Sequence, residues 1–132
     1  MSAFVDTDVL VRHLTGDPPG LASRATAYLS RESELFLADL VVAEVVYVLE
    51  SFYGVNREKV AEAIRSLLAM PSVVSVDSAL LLRAIEVYET HRLDFAEAYL
   101  VGCAESTGVG KVASFDRTID RVSTVESEPD DR

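Results

Sequence analysis

Short apolar runs alternate along this chain with longer segments whose apolar residues recur at helical spacing. The short runs are rich in β-branched or aromatic residues and predict strands. They cover residues 2–5, 34–38, 73–76, 111–113 and 122–125. The longer segments place apolar side chains every three or four residues and predict helices. These segments cover residues 8–14, 21–31, 40–53, 57–69, 78–90 and 95–106, with a short helical turn at 117–120.

The alternation of strands and helices predicts an α/β fold. Such a pattern is typical of a mainly parallel sheet, because each crossover helix returns the chain to the same edge of the sheet. We expect four or five strands between two layers of helices. With 132 residues, the chain fits a single domain, which we assign to residues 1–125, followed by an acidic C-terminal tail at 126–132.

Polar residues mark the predicted helix ends. Thr7 or Asp8 is expected to cap the first helix, and a loop is expected at residues 16–20, where Gly and Pro cluster. Gly54 is placed to end the third helix. The remaining N-caps are predicted at Asp39, Asn56, Asp77 and Asp94.

Composition narrows the class of protein. Hydrophobic residues make up 49 % of the chain, enough for a packed core, and the net charge is −10. That charge argues against a surface devoted to nucleic acid, but it permits an acidic cleft that holds metal, or a basic partner. Cys103 is the only cysteine, so an intrachain disulfide is excluded and a cysteine-based metal site is not expected. With no apolar run near 20 residues and no signal-like start, the sequence predicts a cytoplasmic protein.

Two acids stand out because of their surroundings. Glu44 is the only charged residue between Asp39 and Glu50, in a segment so apolar that we expect it to be buried. Glu97 lies in a similarly apolar segment. A buried carboxylate is costly unless it is paired, and neither segment contains Lys or Arg. A shared Mg²⁺ or Mn²⁺ would balance both charges, since these ions prefer oxygen ligands.

Further acids follow predicted strands. Asp6 and Asp116 each come after a strand and should lie at the carboxyl edge of the sheet, while Asp94 precedes Glu97 by one helical turn. Each acid also has an ordinary explanation as a helix cap, a turn former or the partner of a distant arginine. Together they predict a site for metal-dependent cleavage of phosphodiester bonds. Its catalytic residues are Asp6, Glu44, Glu97 and Asp116, and its metal ligands are these four with Asp94.

Four stretches in this order resemble the PIN domain, and in particular the VapC-type toxins of toxin–antitoxin pairs. They are Phe4 to Leu10, Ala43 to Val45, Leu93 to Leu100 and Ala113 to Arg117. The resemblance implies a PIN-like three-layer sandwich and a Mg²⁺- or Mn²⁺-dependent endoribonuclease. It also implies a homodimer that is held inactive by a VapB-type antitoxin.

Carried onto this chain, the family's first, second and fourth acids correspond to Asp6, Glu44 and Asp116. The third is usually Asp, whereas this chain has Glu97, so either the metal spacing differs or Asp94 takes part of the role. Asp8 and Ser114 occupy positions where the family has polar residues near the metal. Candidate contacts to RNA phosphates at the rim are Arg12, His13, Arg92, Arg117 and Arg121.

Two alternatives remain open from the sequence. A catalytically weak or inactive PIN-like module for binding or dimerisation is compatible with Glu97 in place of Asp. A haloacid-dehalogenase-like phosphatase would explain the Asp6-Thr7-Asp8 start. That family, however, needs a different sequence after the second Asp and a downstream lysine, and Lys59 and Lys111 are poorly placed for this role.

Overall fold

A computed structural model describes residues 2–31 and 33–129. Over these residues the chain forms short parallel strands and longer helices, and the predicted α/β class is confirmed. The strands are β1 (Ser2–Phe4), β2 (Glu34–Phe36), β3 (Val73–Val74), β4 (Lys111–Ala113) and β5 (Glu126–Glu128). The α-helices are α1 (Thr7–Thr15), α2 (Pro19–Leu29), α3 (Asp39–Ser51), α4 (Arg57–Leu68), α5 (Ser78–Thr90) and α6 (Phe95–Thr107), and a 3₁₀-helix spans Arg117–Arg121.

The chain folds as two compact units, residues 1–78 and residues 79–132. The first unit is built on a parallel sheet in the order β1-β2-β3, with Leu35 of the central strand opposite Ala3 and Val73. Leu35 is fully buried, as are Val45 of α3 and Ile64 of α4. The apolar faces of the helices and the central strand therefore form the core of this unit.

Local chemistry explains where the helices of the first unit begin. Asn56 accepts a hydrogen bond from the backbone N–H of Lys59 and caps α4, as predicted. The cap of α1 is Asp6, not Thr7 or Asp8. Helix α2 begins at Pro19, inside the predicted loop, because proline suits the first turn of a helix. Asp39 is the first residue of α3 and not its cap, which is Ala38.

The second unit packs α5 and α6 with the two-stranded parallel sheet of β4 and β5. The two helices approach closely at Gly102, where an added Cβ would lie 2.9 Å from Leu80 Cδ1. Asp94 caps α6 as predicted, since its side chain accepts from the backbone N–H of Glu97. Tyr88 and Ile85 of α5 are fully buried and anchor the core of this unit.

Two expectations about the strands need correction. The single sheet of four or five strands is found as separate hydrogen-bonded sheets of three and two strands over the described residues. The last strand is Glu126–Glu128 rather than residues 122–125, so it falls within the predicted acidic tail. Ser127 turns inward there and binds Asp120, whereas Val122 and Val125 are buried in the turn before the strand. The remaining predicted tail, residues 130–132, lies outside the described residues, and the single-domain boundary at 125 stays a prediction.

No helix within residues 2–31 and 33–129 is both long enough and apolar enough to cross a membrane. The cytoplasmic location stays a prediction.

A two-pronged ion pair joins α5 to α6 within the second unit. Arg83 Nε and Nη2 donate to the two carboxylate oxygens of Glu105 at 2.7 and 2.8 Å, and the two side chains are only 33 % and 19 % exposed. Hydrogen bonding to Arg83 lowers the pKa of Glu105 below its ordinary value of 4.5. Because the folded-state pKa is depressed, the stabilisation is present above the ordinary value and is lost as the pH falls through the folded-state value.

The variant Glu105→Gln should therefore lower the free energy of unfolding by about 1 to 3 kcal/mol at neutral pH. The difference from wild type should shrink as the pH falls below the ordinary pKa of a glutamate, which urea unfolding across a pH series measures. Glu86→Gln is the matched control, because Glu86 also pairs with Arg83 but is 56 % exposed. A destabilisation by Glu105→Gln that does not change with pH would contradict the role assigned to the charge.

Candidate active site

Asp6 follows β1, and one buried residue, Val5, separates it from the strand. Its Oδ1 atom accepts a hydrogen bond of 2.7 Å from the backbone N–H of Thr7, and the residue is exposed. Asp6 lines a cleft of about 710 Å³ in the first unit, together with Asp8, Arg12 and Phe52. The end of the first strand thus places a carboxylate in an open cleft, and the role of Asp6 as a metal ligand stays a prediction.

The hydroxyl of Thr7 lies in the lining of the same cleft. Thr7 Oγ1 is buried and has no hydrogen-bond partner among the described residues. A buried polar atom without a partner is costly, so this atom is a candidate contact for a molecule or ion bound beside Asp6. Sequence reasoning treated Thr7 only as a possible cap and missed this feature.

Glu44 is exposed on α3, so the expectation of a buried carboxylate at this position is wrong. The helix also exposes Leu40 (73 %) and Tyr47 (62 %) on the same side. The segment is almost wholly apolar, but only part of it is buried. A prediction of burial from apolar content alone is therefore too high for this helix. The metal-binding role of Glu44 does not depend on burial and stays a prediction.

Three of the predicted acids cluster in the second unit. Glu97 Oε2 accepts a hydrogen bond of 2.9 Å from Thr118 Oγ1, and Asp116 Oδ1 accepts one of 2.9 Å from the backbone N–H of Thr118. Ser114 Oγ in turn accepts from the backbone N–H of Asp116 at 3.0 Å. Thr118, which sequence reasoning missed, thereby bridges the two acids, and Ser114 fixes the turn that presents Asp116.

The carboxylates of this cluster perturb one another. Partial burial is the largest cause that raises the pKa of Glu97 to about 7, and hydrogen bonding to Asp116 and the charge of Asp94 add to it. The bond from Thr118 opposes this rise. The pKa of Asp116 is lowered, first by its bond from the backbone N–H of Thr118 and also by hydrogen bonding with Glu97. The protonation of Glu97 therefore depends on the charge of its acidic neighbours.

The candidate residues divide between the units: Asp6 and Glu44 lie in the first, and Asp94, Glu97 and Asp116 in the second. Within either unit, no three described His, Cys, Asp or Glu side chains are arranged as the ligand set of a metal ion. The strand before Asp6, β1, and the strand before Asp116, β4, belong to different hydrogen-bonded sheets. The expectation that both acids lie at the edge of one hydrogen-bonded sheet is therefore wrong. The assignment of all five acids to one site stays a prediction.

The predicted RNA contacts differ in how they are held. Arg12 lines the cleft beside Asp6. His13 Nδ1 is hydrogen-bonded to Thr26 Oγ1 at 2.8 Å, and burial lowers the pKa of this histidine. Arg121 Nη1 donates to the backbone carbonyl of Arg92 at 3.1 Å, and Arg117 Nη1 donates to Ser127 Oγ at 3.3 Å. Arg12 is thus the member of this set whose surroundings best suit a ligand, and the contacts of His13, Arg117 and Arg121 stabilise the fold.

The model of the family described as "PIN domain" matches residues 3–125, which is most of the sequence. The chain belongs to the PIN domain family. This family comprises nucleases that act on RNA, and the phosphatase alternative considered from the Asp6-Thr7-Asp8 start belongs to a different family.

Among solved structures, this PIN domain is similar to VapC20 of Mycobacterium tuberculosis, described as a toxin that cleaves the sarcin-ricin loop. The identity is 23 %, the match covers 89 % of this chain and 92 % of that one, and the TM-score is 0.41. No curated protein matches the chain.

Proposed function

We propose that this PIN domain is a divalent-metal-dependent endoribonuclease, the toxin of a VapBC-type toxin–antitoxin pair. The observation that carries the proposal is the acidic cluster of Asp94, Glu97 and Asp116, together with membership of a nuclease family. Partial burial, and after it the neighbouring acids Asp116 and Asp94, disfavour the charged form of Glu97 and raise its pKa to about 7. A bound cation would favour the charged form.

The donor chemistry of the chain fits a hard divalent cation. The cluster supplies carboxylate oxygens, the ligands that Mg²⁺ and Mn²⁺ prefer, and Asp6 and Glu44 would complete the set in the proposed site. Such an ion supplies charge stabilisation for the attacking and leaving oxygens of phosphodiester cleavage. The orphaned Thr7 hydroxyl beside Asp6 is a further polar atom available in the cleft of the first unit. Thr118 and Ser114 would orient Glu97 and Asp116 through the hydrogen bonds described above.

The test is cleavage of single-stranded RNA by the purified full chain. Activity is expected with MgCl₂ or MnCl₂, should disappear when EDTA removes the metal, and should return when excess metal is restored. Capillary electrophoresis of end-labelled RNA measures the products. Calcium at the same concentration is a useful control and should support less cleavage, because its bonds to oxygen are longer than those of Mg²⁺. Equal cleavage with and without EDTA would refute metal dependence.

The alternative of a weak or inactive binding module rests on one specific feature, Glu97 in place of the Asp that is usual at the third acid. The two proposals differ in the rate at which wild-type protein cuts RNA with metal present, which is low or zero for the binding module. We further propose a homodimer and a VapB-type antitoxin partner, both of which follow from the VapC resemblance. Size-exclusion chromatography of the chain alone tests the homodimer. Co-expression with the product of the neighbouring open reading frame, followed by the same chromatography, tests the antitoxin partner.

A further inference from the structure

A second groove in the first unit runs between α1 and α2 and includes Asp6. Its volume is about 500 Å³. Besides Asp6 and Asp8, three arginines line it: Arg12 on α1, Arg24 on α2 and Arg31 just beyond the end of α2. This set is called the arginine groove below.

The arginine groove is rich in positive charge, whereas the chain as a whole is acidic. The whole sequence has 12 Lys and Arg against 22 Asp and Glu, yet a single groove collects three of the 12 cationic groups. Within the described part of the chain, none of these three guanidinium groups lies within 4.0 Å of a carboxylate oxygen, the distance of an ion pair. Unlike Arg83, which is held by Glu105, these groups are available to an anionic ligand.

Aromatic side chains accompany the arginines. Phe4 lines the groove and is 79 % exposed, although its ring contacts Phe36 at a centroid distance of 5.4 Å. The Arg31 guanidinium lies over the ring of Tyr28, 5.1 Å from its centroid. Exposed aromatic faces beside arginines are the combination that binds single-stranded nucleic acid, because bases stack on rings while guanidinium groups bind phosphates.

We propose that the arginine groove binds the single-stranded RNA that flanks the cleavage site, with Arg24 and Arg31 contacting phosphates and Phe4 stacking on a base. The inference rests on the proposed function and deepens it, since it assigns a substrate-binding surface next to the cleft. Continuity with the site supports RNA over an acidic protein segment, because Asp6, Asp8 and Arg12 line both the groove and the cleft. A strand in the groove is thereby led to the carboxylate that is proposed to act on it.

The test compares RNA affinity in a charge-matched pair of double variants of the full chain. Arg24→Gln with Arg31→Gln removes two positive charges from the groove. Lys59→Gln with Lys111→Gln removes two elsewhere, from exposed ion pairs with Glu62 and Glu128. Fluorescence anisotropy with a labelled random-sequence 12-mer RNA in EDTA measures binding without cleavage. The arginine double variant should bind on the order of tenfold more weakly at about 0.1 M salt, and its log–log salt slope should fall by about 1.4.

The control pair should bind RNA within about twofold of wild type, and circular dichroism should show unchanged folding for both. The proposal is overturned if the arginine variant binds RNA as wild type does, or if wild type binds no RNA. It is also overturned if only the affinity for a labelled polyglutamate peptide falls, which would make the groove a protein-docking surface. Cleavage of RNA by wild type in Mg²⁺ is scored separately, so a loss of binding without any cleavage supports the groove and refutes the nuclease.

Discussion

Replacing Asp6 with asparagine is expected to lower metal-dependent RNA cleavage at least about 100-fold while leaving the fold intact. Asp6 has two roles that this substitution separates. Its Oδ1 atom caps α1 by accepting from the backbone N–H of Thr7, and asparagine is as good an N-cap as aspartate. The variant therefore keeps the cap and loses only the negative charge that the proposed site requires. Initial cleavage rates at saturating Mg²⁺, together with thermal unfolding, measure both consequences.

Two further variants sharpen this experiment. Asp6→Ala loses the cap as well as the charge, so it should lose the same activity and in addition about 1 kcal/mol of stability. Glu62→Gln removes a carboxylate from an exposed ion pair on α4 and should leave both quantities unchanged. Asp6→Asn that cleaves RNA like wild type would show that the carboxylate serves the fold alone, and the assignment of the first acid would be wrong.

The features that the sequence predicted best are those set by neighbouring residues. Helix α5 spans Ser78–Thr90 as predicted, and Asn56 and Asp94 cap their helices, because a cap requires only a polar side chain two or three residues before the amide that it binds. The cap of α1 was misplaced by one or two residues, because three consecutive polar residues, Asp6 to Asp8, all suit that position. Pattern alone does not rank adjacent candidates.

The features that were missed depend on contacts between distant parts of the chain. Glu44 was expected to be buried because its segment is apolar, but burial is decided by which helix face finds a partner. The last strand was placed on the apolar residues 122–125, whereas the polar Glu126–Glu128 pairs with β4 through its backbone. Hydrogen bonding by the main chain carries little signature in the side chains of so short a strand.

The candidate site shows the same division. That Asp6 follows a strand and that Asp94 and Glu97 share a helical turn could be derived from spacing. Thr118, which bridges Glu97 and Asp116, could not, because its contact with Glu97 spans 21 positions of sequence. The arginine groove was likewise hidden, since Arg12 and Arg24 become neighbours only when α1 packs on α2.

Glu97→Gln is expected to lower cleavage at least about 100-fold, and Asp94→Asn only about tenfold. The substituted amide can still accept the hydrogen bond from Thr118, so the Glu97→Gln variant removes the charge and little else. Asp94 already uses Oδ1 to cap α6 by accepting from the backbone N–H of Glu97, and asparagine preserves that bond. Its main contribution to the cluster is the negative charge that helps to raise the pKa of Glu97. The same cleavage assay ranks the two variants.

Glu97→Asp completes the series, because it restores the residue that is usual at the third acid and shortens the side chain by one methylene. If Glu97 is a working ligand, the shorter acid should retain measurable activity, and the order should be wild type, then Glu97→Asp, then Glu97→Gln. If wild type is inactive and Glu97→Asp cuts RNA, the natural glutamate is what disables the site, and the binding-module alternative is correct. A larger loss from Asp94→Asn than from Glu97→Gln would instead make Asp94 the third ligand. Asparagine at position 94 keeps the cap of α6, so this variant loses only the negative charge of Asp94.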